Sequence, residues 1–133
     1  MTCVWDAIIQ SLNNNEKDKI FSGGKGINAI GLVEYFQENN IETTNVEVNG
    51  EKISKKQMSE NIERIKCINK NCLGNGYDCS TFDPILILLS ELLKIDIEHK
   101  YLNNIIKYSC LNCEKNEKRT FKFVSNRGHF QRG

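Results

Sequence analysis

Apolar residues recur at helical spacing near the start of the chain, at Val4, Trp5, Ile8, Ile9 and Leu12, and predict a short helix capped by Thr2 or Cys3. Polar Asn13 to Lys19 and the glycine-bearing Ser22-Gly23-Gly24-Lys25-Gly26 read as surface connections. A second helix is expected from about Ile27 to Asn39, with Ile27, Ile30, Val33, Tyr35 and Phe36 as its buried stripe. Val46, Val48 and Ile53 flank Asn49-Gly50, the dipeptide that most readily turns a tight hairpin, so Thr43 to Ile53 reads as a small peripheral hairpin or extended arm. Ser54 and Gln57 form a capping box that opens a third helix reaching about Cys67, with Met58, Ile62 and Ile65 facing inward.

Asn69 to Cys79 reads as a loop, and Asp83-Pro84 supplies a cap and a first-turn proline for a fourth helix. That helix is apolar nearly all round from Ile85 to Leu93, which marks it as the central core helix. From Ile95 the period changes to two, as Ile95, Ile97, His99 and Tyr101 alternate with Asp96, Glu98 and Lys100. With Ile105 to Tyr108 and Thr120 to Val124 this predicts an antiparallel meander of three strands. The expected fold class is α+β, helices first and sheet last, with the helices packed on a small antiparallel sheet in one domain spanning 1–133.

Composition narrows the picture. A chain of 133 residues can bury a core without covalent staples. Eighteen basic side chains against seventeen acidic ones, without long runs of like charge, give no sign of a nucleic-acid groove. The longest apolar stretch, Pro84 to Leu89, is too short to cross a bilayer, and the first residues lack the features of a secretion signal. The expectation is a soluble, intracellular protein with reduced thiols, because its six cysteines are too sparse for a disulfide scaffold. Abundant Asn, Lys and Ile with a single Pro resemble translation from an AT-rich genome, as in many large DNA viruses and parasites; a viral chain would act in the host cytoplasm or the virion.

Of the six cysteines, only Cys3 precedes an apolar-periodic run, where a helix N-terminus favours the thiolate. Of the two histidines, only His129 ends a strand-like segment. If the fold brings the chain ends together, the pair is a thiol nucleophile and its base. A buried Cys3 packing as a small hydrophobe would read the same way in sequence. Asp6 falls in the first helical turn, where a capping charge is the simpler reading. Gly23-Gly24-Lys25-Gly26 fails as a phosphate loop, since Gly26 stands where Ser or Thr is required. His99, on an apolar strand face, reads as a satisfied core residue.

Cys110-Leu111-Asn112-Cys113 has knuckle spacing, and Cys67, Cys72 and Cys79 could complete a zinc site, though their spacings are irregular. Reduced thiols are the default, a structural zinc the alternative, and a disulfide from Cys110 or Cys113 to Cys72 or Cys79 the least expected. No cofactor is expected.

The stretch Cys3-Val4-Trp5-Asp6-Ala7-Ile8 resembles the nucleophile helix of the ovarian tumour (OTU) family of papain-like cysteine peptidases. Leu89 to Ile97, the strands that follow and Gly128-His129-Phe130 resemble that family's core helix, strand and terminal His-aromatic pair. The resemblance covers less than half of the chain. It implies a peptidase that removes ubiquitin or a ubiquitin-like modifier from lysine side chains, with no nucleic-acid or membrane partner. Cys3 would attack the isopeptide carbonyl, and His129 would take its proton and later protonate the leaving amine. The family places Asn or Asp two residues after the histidine; here that position is Gln131, with Asn126 as the nearby substitute. The family's loop before the nucleophile has no counterpart, as only Met1 and Thr2 precede Cys3, so the backbone amides of Cys3 and Val4 are the expected oxyanion donors. Trp5, beside the nucleophile, reads as a core residue with a substrate-channel lining as the alternative, and Tyr77 and Asp78, before the core helix, are candidate contacts for an extended substrate tail. These departures leave open a domain that keeps the fold for binding or structure without catalysis, zinc-stabilised or not.

Overall fold

The computed structural model describes residues 3–75, 83–111, 119–126 and 129–133. Among them are five α-helices and one six-stranded sheet, in the order α1 (Cys3–Ser11), α2 (Asn14–Ile20), α3 (Ala29–Glu38), β1 (Val46–Val48), β2 (Glu51–Lys52), α4 (Lys55–Lys66), a 3-10 turn (Lys70–Asn75), α5 (Pro84–Leu93), β3 (Asp96–Tyr101), β4 (Asn104–Cys110), β5 (Thr120–Asn126) and β6 (His129–Arg132). The α+β class holds. The sheet is larger than the expected meander and not wholly antiparallel: its order is β2-β1-β4-β3-β5-β6, and β3 runs parallel to β5. A period of two identifies a strand but not its neighbour, and the nine residues between Cys110 and Thr120 exceed any tight turn that would have fixed the pairing.

Asn49 and Gly50 both take positive φ, 51° and 82°, as a two-residue hairpin turn requires. The hairpin is not a peripheral arm: β1 pairs with β4, setting Val46 opposite Cys110 and Val48 opposite Tyr108. Strands therefore also fall between helices, not only at the end of the chain.

Two helices depart from expectation. Asn13 to Lys19 is largely helical rather than a connection, because Asn13 and Glu16 form a reciprocal capping box, each side chain accepting the other's backbone N–H at 2.8 Å. α3 begins at Ala29, since Asn28 caps it by accepting the Gly31 N–H at 2.9 Å. That start leaves Ile27 63% and Ile30 45% exposed, and the buried face is Ala29, Leu32, Val33, Tyr35 and Phe36. α4 is capped by Ser54 as expected, but Gln57 bonds Asn61 instead of reaching back, and Ile62 is half-buried.

α5 is the core helix. Asp83 accepts the Ile85 N–H at 2.9 Å, its own N–H is donated to the Tyr108 hydroxyl at 3.1 Å, and every residue from Pro84 to Glu91 is buried. It packs on β1, β3 and β4 and against α3 and α4, while α1 packs on β6 and α3. Alternation along β5, with Phe121, Phe123 and Ser125 buried and Lys122 and Asn126 exposed, leaves one sheet face to the helices and the other to solvent.

Candidate active site

Cys3 opens α1 and His129 opens β6, and for both residues the backbone is what the structure describes. α1 forms because Val4, Trp5, Ala7 and Ile8 bury one stripe while Asp6 and Gln10 stay exposed. β6 is one of the two edge strands and is held by β5, with Asn126 opposite His129, Ser125 opposite Phe130 and Val124 opposite Gln131. Phe130 is buried against Phe123 and His99, at ring separations of 5.2 and 5.1 Å.

α1 lies along β6. At the far end of their contact, the Arg132 guanidinium donates to the Gln10 carbonyl at 3.1 Å. From that tie, Cys3 lies seven residues back along the helix, about 10.5 Å at 1.5 Å per residue. His129 lies three residues back along the strand, about 10 Å at 3.3–3.4 Å per residue. By ideal geometry the first residues of α1 and β6 thus lie at comparable distances from this tie, about 10 Å each.

Asn126 and Gln131 occupy the two register positions flanking residue 129 on one face of the β5–β6 pair, and both are exposed. Val4 is buried, and its amide belongs to the first turn of α1, whose N–H groups have no partner within the helix. Trp5 is 0% exposed, so its indole is part of the core, which favours the core reading over a channel lining. Tyr77 and Asp78 lie outside the described residues.

A cleft of about 360 Å³ opens beside the first turn of α1, lined by Asp6, Asn28, Ala29, Ile30, Lys70, Asn71 and Leu73. Asp6 lies about one helical turn from Cys3 along α1. Sequence reasoning missed it because its walls come from α1, the cap of α3 and the 3-10 turn, which are distant in the chain.

His99 is 1% exposed, and its Nε2 sits 2.6 Å from the Ser125 hydroxyl. Its Nδ1 is buried without a hydrogen-bond partner. Burial pushes its pKa below the ordinary value, as desolvation disfavours the imidazolium. It is a core residue, satisfied at one nitrogen.

The thiol expectations need correction at Cys110, which is disulfide-bonded. That excludes Cys110 as a zinc thiolate. No group of three or more potential metal ligands occurs among the described residues; Cys79 and Cys113 lie outside them. Cys67 is a free, exposed thiol whose Sγ donates to the Glu63 carboxylate at 3.6 Å. Lys25, from the rejected phosphate loop, pairs with Glu38 at 3.2 Å. Among the described residues no helix is long and apolar enough to cross a membrane.

Comparison with known proteins returns no match: no family model, no curated protein and no solved structure matches this chain.

Proposed function

We propose that the chain is an OTU-like cysteine peptidase that releases ubiquitin or a ubiquitin-like modifier from conjugates, with Cys3 as nucleophile and His129 as base. The observation that carries this reading is the packing of α1 against β6, the two elements whose first residues are Cys3 and His129. A helix N-terminus favours the thiolate through its dipole, and an imidazolium beside it adds to that effect.

In the proposed reaction the Cys3 sulfur attacks the isopeptide carbonyl carbon, and the oxygen takes up the negative charge. First-turn amides of Cys3 and Val4 donate to that oxygen. The His129 imidazolium protonates the lysine amine as the C–N bond breaks, leaving a thioester on Cys3. His129 then takes a proton from water, which attacks the thioester and frees the modifier's carboxylate and the thiol. Asn126, directly across from His129, supports the orienting role better than Gln131 does, because it faces the histidine position at the closest cross-strand spacing. The cleft at Asp6 and Ile30 is the approach for the modifier's extended tail.

The test is hydrolysis of a fluorogenic amide at the C-terminus of ubiquitin by the wild-type chain. Turnover that Cys3→Ala and His129→Ala each abolish supports the proposal. A rate unchanged by either substitution overturns it.

A further inference from the structure

We infer that Arg132, assisted by Arg119, is a positioning residue that sets the register of the nucleophile helix against the strand carrying the base. The inference rests on the Cys3–His129 reading above. α1 has no basic side chain in its last turn, although the final carbonyls of a helix lack intrahelical donors and carry partial negative charge. The compensating cations come from elsewhere in the chain. Arg132, the last residue of β6, donates to the Gln10 carbonyl at 3.1 Å, and Arg119, just before β5, donates to the Ser11 carbonyl at 2.9 Å. Arg119 also pairs with Glu16 of α2, which fixes the junction of the first two helices to the same place.

Both cations therefore arrive from the β5–β6 pair that presents His129 and Asn126. They line one cleft at the C-terminal end of α1, with Thr120 and Lys122, at the opposite end of the helix from Cys3. Apolar packing of Val4, Trp5 and Ile8 holds α1 against the core but fixes its axial position less sharply than directional bonds do. A slip of one turn would move Cys3 by about 5.4 Å. A thiol and its base must lie within roughly 3 Å, so such a slip breaks the pair. Two guanidinium groups bonded to consecutive carbonyls oppose that slip from the far end.

The pH dependence of iodoacetamide alkylation at Cys3, read by mass spectrometry of the peptide containing it, tests the inference. Wild-type Cys3 should alkylate with a midpoint well below the free-thiol value of about 8.5. Arg132→Ala should move that midpoint up by about one unit, slowing alkylation roughly tenfold on the acid side. Arg132→Lys, which keeps a donor for the Gln10 carbonyl, should restore most of the difference. Arg132 is exposed, so the alanine variant should stay folded, as circular dichroism would verify. A lowered melting temperature with an unmoved midpoint in Arg132→Ala would mean a purely structural role and overturn the inference. A wild-type midpoint near the free-thiol value would instead overturn the dyad itself, and the positioning role with it.

Discussion

Asn126 stands directly opposite His129 across the β5–β6 pair, the last register pair before the connection that joins the two strands. Directly opposed residues are the closest side-chain neighbours a sheet offers, whereas Gln131 is two residues along the same strand as His129. Asn126→Ala should therefore lower kcat on a ubiquitin amide by about a hundredfold, the lower end of what positioned acid–base catalysis contributes. Gln131→Ala should cost clearly less. Steady-state kinetics of the two variants decides between them, and the reverse order would assign the orienting role to Gln131.

His99 makes stability sensitive to mild acid. Its folded pKa lies below its ordinary 6.5, so between those two values the unfolded chain binds a proton that the folded chain does not. The contribution is fully present above pH 6.5 and is lost as pH falls toward the folded value. The denaturant midpoint should decline below pH 6.5 in the wild-type chain and decline less in His99→Gln. Ser125→Ala, which removes the buried partner of Nε2, should destabilise by about 1–3 kcal/mol at neutral pH.

Gly31 is fixed by close approach. A Cβ there would collide with the Gly26 carbonyl and come within 3.2 Å of the Phe21 ring. Gly31→Ala should thus destabilise, because overpacking against backbone costs about 1–3 kcal/mol and outweighs the roughly 1 kcal/mol that alanine gains over glycine in a helix. Equilibrium denaturation measures the difference, and a more stable variant would contradict the close approach of residues 26 and 31.

Reduction of the protein should lower its melting temperature. Cys110 ends β4 and is disulfide-bonded, and such a cross-link typically contributes 2–4 kcal/mol. Calorimetry with and without a strong reductant reads this directly, with Cys110→Ser as the matching variant. Equal melting temperatures would show that the bond contributes nothing to stability.

Much of the fold was legible where local chemistry decides. Asn49-Gly50 made its hairpin turn, Ser54 and Asp83 capped their helices, and the apolar run after Pro84 became the core helix. The errors lie where a local signal was passed over or where tertiary context decides. Asn13 and Glu16 carried a capping box that defines α2, and Asn28 was a better cap than any start at Ile27, whose apolar character misled the buried stripe. The parallel pairing of β3 and β5 has no local signature, since alternation is blind to neighbour order. For the site, sequence singled out Cys3 and His129, but not the arginines at the other end of α1, because surface arginines carry no periodic signal. The cleft at Asp6 was invisible for a related reason, being assembled from distant segments.

The most direct measurement of the central claim is reaction with ubiquitin carrying an electrophilic C-terminus, mapped by mass spectrometry. Cys67, free and exposed, is an internal control for nonspecific thiol chemistry. A Cys3–His129 pair predicts one adduct, on Cys3, lost in Cys3→Ala and strongly slowed in His129→Ala. No adduct at high protein concentration, or an adduct on Cys67 alone, would contradict it.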